Sequence, residues 1–162
     1  MNKLVSLFAL IILVSEIKAQ DKSKIDAATL VKIIETADFS GLRKLVKTLD
    51  YIVLDSTKNN DGSCFYIAKE PKLRGNTVGC FTDKNAKIQQ LTFSTYDKGI
   101  YDDKKIQIKK LGFKSRGFKK GDKGSPELIE TEDFEKGKIF IATGIKKFDD
   151  GRIEHEFTFF EL

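Results

Sequence analysis

The stretch YIVLDSTKNNDGSCFYIAKEPKLRGNTVGCFT, residues 51–82, decides the fold class. It opens on a run of β-branched and aromatic residues, 51–56, that suits a strand. Lys58-Asn59-Asn60-Asp61-Gly62 then turns the chain, and Asp-Gly is a strong hairpin signal. Two more strand-like runs follow, 63–69 and 76–82, joined by residues 70–75 with Pro71 and Gly75. Short connections of this kind join neighbouring antiparallel strands. Downstream, Asp83-Lys84-Asn85 turns the chain again into a fourth strand at 87–96. Upstream, Leu42, Leu45, Val46 and Leu49 follow the i, i+3, i+4, i+7 rule of a helix over 40–49, with Asp38 or Ser40 as its cap. Residues 21–37 place Ala27, Leu30, Val31 and Ile34 on one helical face, with Asp21 or Ser23 as a cap.

The order then begins again. Val46-Lys47-Thr48-Leu49-Asp50-Tyr51 resembles Ile108-Lys109-Lys110-Leu111-Gly112-Phe113, and an offset of 62 aligns Gly62-Ser63 with Gly124-Ser125. Between 46–75 and 108–137, eight of thirty positions are identical. A helix is predicted over 99–111, although Ile106 and Ile108 alternate like strand residues, and strands over 112–118, 127–131, 138–147 and 152–161. The expected architecture is α+β: two tandem copies of helix plus four-stranded antiparallel sheet, packed as one compact unit. The halves would run over 20–95 and 96–162.

The N-terminus has a different character. Lys3 precedes an apolar run from Leu4 to Val14, and a polar stretch leads to Ala19. That is the layout of a secretory signal peptide over 1–19, with Ala19 as the small residue at the cleavage point. The run is shorter than the about 20 residues that cross a bilayer. Nothing later in the chain is apolar enough to be transmembrane. The expectation is a secreted domain, periplasmic or extracellular. Loss of Lys3, Lys18 and Glu16 takes the net charge from +5 to +4.

Export permits a disulfide between the two cysteines, Cys64 and Cys80. A hairpin centred near Lys72 sets them directly opposite one another, close to the spacing such a bond needs. Two cysteines and a single histidine make a poor metal set, so no metal and no cofactor are expected.

Charge is segregated along the second half. Lys104, Lys105, Lys109, Lys110, Lys114, Arg116, Lys119, Lys120 and Lys123 are followed by Glu127, Glu130, Glu132, Asp133 and Glu135. Of the basic residues, Lys104 to Lys120 are the candidate site for an anionic partner, an acidic protein or an anionic polymer, with nucleic acid disfavoured by export. The blander reading is a solvated surface whose lysines pair loosely with the neighbouring acids. His155 alternates onto the face of Ile153, Phe157 and Phe159, which makes it a core residue before it is a general base. The adjacent carboxylates Asp102-Asp103, Glu132-Asp133 and Asp149-Asp150 diverge in a strand or turn, so none forms an acid/base pair. No catalytic residue is assigned and an enzyme is not expected.

These features point to a secreted, non-enzymatic binding domain that presents a sheet face or the basic segment to a macromolecule. Three rivals remain. One is an inhibitor or immunity-like protein that inserts the loop at 70–75 into an enzyme. Another is a carboxylate-based hydrolase. The last is a structural or assembly component of the cell envelope.

Overall fold

The computed structural model describes residues 23–71, 75–121, 123–124 and 126–162. The segment read as a signal peptide and the tip of the 70–75 loop lie outside them.

Three helices and eight strands form in the order α1 (Ala27–Thr36), α2 (Phe39–Thr48), β1 (Ile52–Lys58), β2 (Cys64–Lys69), β3 (Thr77–Thr82), β4 (Ile88–Thr95), α3 (Lys98–Lys110), β5 (Lys114–Lys120), β6 (Glu127–Lys136), β7 (Ile139–Lys147) and β8 (Ile153–Glu161). Each helix starts on an aspartate. Asp26, Asp38 and Asp97 accept hydrogen bonds from Thr29 N, Gly41 N and Gly99 N, which satisfies a first-turn donor in each case. The first helix therefore begins later than its periodicity suggested, because Asp26 rather than Ser23 caps it; Asp21 lies outside the described residues. Ala37 ends α1 in the left-handed region at φ 47°, and its N–H reaches back to Ile33 O and Ile34 O.

All eight strands join one antiparallel sheet in the order β1-β2-β3-β4-β8-β7-β6-β5. The expected pair of four-stranded sheets is thus one continuous sheet, and the seam is β4 against β8. Leu91 faces Phe159 and Phe93 faces Phe157 across that seam. Registers carry one inward row across the sheet: Tyr66, Cys80, Leu91, Phe159, Ile141 and Phe134. These six side chains are buried. Helix α1 covers them at the centre, packing on β4, β7 and β8, while α3 packs on β4 and β8. Burying a phenylalanine contributes roughly 1.5–3 kcal/mol, so Phe93, Phe134, Phe157 and Phe159 are the strongest anchors of the sheet's centre.

The cysteines do not bond. Both are free thiols, and the β2–β3 register sets Cys64 opposite Thr82 and Cys80 opposite Tyr66. The hairpin closes on Lys69 with Thr77, and Glu70 N donates to Asn76 O at 2.8 Å. That moves its centre one residue beyond Lys72 and turns a direct pair into a diagonal one. Diagonal neighbours sit about 7–8 Å apart, too far for a disulfide.

No helix of the described residues is long and apolar enough to cross a membrane.

Candidate functional site

The basic segment folds onto the acidic one. Strand β5 pairs with β6, so Lys114 faces Glu135 and Lys120 faces Glu130. Arg116 meets Glu135 at 3.3 Å and Lys119 meets Asp133 at 2.7 Å. From α3, Lys105 forms an ion pair with Glu132, and Lys109 stands 3.6 Å from the same carboxylate. Lys104 is fully buried. Its ammonium donates to Ile25 O and stands 4.2 Å from the centroid of Phe93. Lys110, Lys114 and Lys120 stay exposed, without an ion pair among the described residues.

Glu132 is the centre of a buried polar cluster between α3 and β6. Burial raises its pKa, but Lys105, the Ser115 hydroxyl and Lys109 outweigh that and hold the carboxyl below its ordinary range. Its backbone N–H donates to Thr143 Oγ1 at 3.0 Å, and Tyr101 donates to the same oxygen at 3.1 Å. His155 stacks on Tyr101 with centroids 4.8 Å apart. His155 is buried with Phe157 and Phe159, as alternation required, whereas Ile153 lies exposed near the strand end. Desolvation holds the imidazole below its ordinary pKa; Asp102 and Asp97 oppose that and Lys98 adds to it. Asp133 leaves the strand on the opposite face and pairs with Lys119, so Glu132 and Asp133 diverge. The cluster locks α3 to the sheet and brings no second carboxylate beside Glu132.

The other face of the sheet is different in kind. No described helix covers it. Its rows carry Phe65, Phe81, Gln90, Phe160 and Phe140 across β2, β3, β4, β8 and β7. Phe65 and Phe81 are each 41% exposed. A cavity of about 370 Å³ opens here, with Leu54, Phe65, Ile67 and Phe81 on its apolar side and Glu154 and Glu156 at its acidic end. Lys146 meets Glu156 at 2.6 Å, so that end is partly neutralised. Neither aromatic stood out in the sequence, because each strand carries a single outward phenylalanine and only the register brings Phe65 opposite Phe81.

The base of the loop at 70–75 is firmly set. Glu70 is buried, and Asn76 Nδ2 donates to its Oε2 at 2.8 Å. A side chain at Gly75 would collide with Glu70 O, at 2.1 Å from its Cβ.

Comparison with known proteins returns no match, whether to protein-family profiles, to curated proteins or to solved structures.

Proposed function

We propose that this chain is a secreted, non-enzymatic binding domain that presents the uncovered face of its sheet to a macromolecular partner. The observation that carries the reading is the pair Phe65 and Phe81, neighbours in register and both exposed on a face that no described helix covers. Monomeric soluble proteins rarely leave contiguous aromatic surface open without use. The basic segment is the second candidate surface. Its free charge is reduced to Lys110, Lys114 and Lys120, because Lys105, Lys109, Arg116 and Lys119 meet the chain's own carboxylates.

The reading includes a duplicated scaffold. It is supported by the offset of 62: Ile52–Lys58 shifted by 62 gives the bounds of Lys114–Lys120. Asp50 and Gly112, one offset apart, both take positive φ, 58° and 87°, directly after a helix. The strand order also reads the same from either edge, with the two meanders meeting at β4 and β8.

The test is partner capture with surface variants. Phe65→Ser with Phe81→Ser should abolish retention of a partner that the wild-type chain holds. Retention by that double variant at wild-type level sinks the reading.

An inhibitor working through the 70–75 loop is the second reading, favoured by the clamp of Glu70 and Asn76 at the loop's base. A one-to-one complex with a co-secreted hydrolase, lost on Pro71→Ala and kept by Phe65→Ser with Phe81→Ser, would select it.

A further inference from the structure

The two edges of the sheet are unlike. On β5 the edge carries Lys114, Arg116, Lys119 and Lys120 and a register shift between Ser115 and Phe118. Charges and irregularities of that kind discourage another strand from pairing. On β1 there is also a shift, between Val53 and Asp55, but the residues at its head are apolar. Ile52, Val53 and Leu54 are 55, 49 and 57% exposed, three in succession and therefore on both sides of the strand. No described strand pairs with the outer edge of β1. An open row of backbone donors and acceptors is complementary to an extended chain and to little else.

Charge says which extended chain. On the helix side of β1 lies a groove of about 760 Å³, between that strand and α2. Arg43, Lys44 and Lys47 line it against one acid, Asp50. All three cations are exposed, and none makes an ion pair among the described residues; Arg43 leans over the ring of Phe39 at 5.9 Å. The floor is aromatic and apolar, with Tyr51, Val53 and Tyr66, and the Tyr51 hydroxyl is buried without a hydrogen-bond partner. This cationic wall contrasts with the 104–120 segment, where Lys105, Lys109, Arg116 and Lys119 are answered from within.

We infer that the β1 edge accepts an acidic, extended peptide as a ninth strand, with its carboxylates turned toward Arg43, Lys44 and Lys47 and its alternate apolar side chains beside Leu54. Alternation delivers that division, because successive residues of an added strand face opposite sides of the sheet. The cations set polarity and register, and the backbone ladder supplies the generic affinity. Leu54 also lines the cavity of Phe65 and Phe81, but the inference rests on the β1 edge and the α2 cations, so it can hold or fail apart from those two aromatics.

The test uses a fluorescein-labelled peptide of four Glu-Val repeats and a control of four Lys-Val repeats. Both are titrated by fluorescence anisotropy at low salt into the chain recovered after export. The Glu-Val peptide should bind at least about tenfold more tightly, and Lys44→Glu with Lys47→Glu should weaken it by about tenfold or more. These two residues are exposed on α2, so circular dichroism should show an unchanged fold. Hydrogen exchange should slow at the amides of β1 on binding, and Phe65→Ser with Phe81→Ser should keep the preference for the Glu-Val over the Lys-Val peptide. Equal binding of the two peptides, undiminished binding by the double reversal, or protection absent from β1 overturns the inference. So does a dimer of the free chain that Leu54→Lys dissociates, since that would give the edge to a second copy.

Discussion

Lys104 stands with its ammonium 4.2 Å from the centroid of the Phe93 ring, inside the core where α3 crosses β4. The same group donates to Ile25 O, and one turn on, Gln107 Oε1 accepts from Ala27 N at 2.8 Å. Two polar side chains of α3 therefore hold the start of α1. Desolvation lowers the Lys104 pKa from 10.5 to about 8, against the opposing pull of Asp26 and Asp103.

That shift makes stability depend on pH in the alkaline range. Between about 8 and 10.5 the unfolded chain keeps the Lys104 proton and the folded chain has released it. Stability from this group therefore rises with pH across that window, by on the order of 3 kcal/mol in full. Cys80 acts in the opposite sense above pH 9, because burial, helped by neighbouring Cys64, pushes its thiol up to about 12. Urea unfolding of wild type and Lys104→Met separates the two. The difference in unfolding free energy should grow between pH 8 and 10.5 in favour of the wild type. A constant difference contradicts the burial of a titrating ammonium.

Glu132 should be the costliest acid to neutralise. Glu132→Gln leaves Lys105 and Lys109 facing an uncharged amide in a largely buried site, and a loss of about 2–4 kcal/mol is expected. Arg116→Ala breaks an exposed pair with Glu135 and should cost under about 1 kcal/mol. Chemical denaturation at pH 7 measures both. Because the folded Glu132 pKa is lowered, its contribution is present above the ordinary carboxyl range and disappears as acid takes the pH below it.

His155 supplies a separate slope. Its folded pKa lies below 6.5, so the unfolded chain binds a proton first as pH falls, and stability drops below about 6.5. The Nδ1 atom has no hydrogen-bond partner among the described residues, so His155→Phe keeps the stack on Tyr101 without stranding a polar group. The variant should unfold at or near the wild-type midpoint at pH 7.5 and lose less stability at pH 5.5. An equal loss in both proteins removes His155 from the account.

The strands and turns of 52–95 were legible because runs rich in β-branched and aromatic residues lie between Asp-Gly and similar turn signals, and each strand formed within two residues of the run read for it. Two things were not. Tyr101, Lys104 and Ile108 share one helical face at spacings of three and four, yet charge alone sent Lys104 to the surface in the sequence reading. The burial depends on Ile25 O and Phe93, which come from distant parts of the chain. The β2–β3 register depends on how Glu70 and Asn76 close the loop, and alternation cannot see a shift that preserves faces. For the candidate site, the clustered lysines were plain, but their partners Glu132 and Asp133 were resolved only by the pairing of β5 with β6. The exposed phenylalanines and the α2 cations emerged only once the sheet's two faces and edges were known.

Export itself is checked by the mass of the chain recovered from the secreting host. Removal of residues 1–19 should leave Gln20 at the N-terminus. An intact Met1 would retract the signal peptide and with it the extracellular setting.

The most direct test of the central claim is partner capture from envelope and secreted extract of the source organism. Three forms are immobilised side by side: wild type, Phe65→Ser with Phe81→Ser, and Lys109→Gln with Lys110→Gln, Lys119→Gln and Lys120→Gln. If the uncovered face is the binding surface, the wild type and the lysine variant retain the same component and the phenylalanine variant releases it. If the phenylalanine variant retains it and the lysine variant does not, the basic segment is the interface and the claim is wrong.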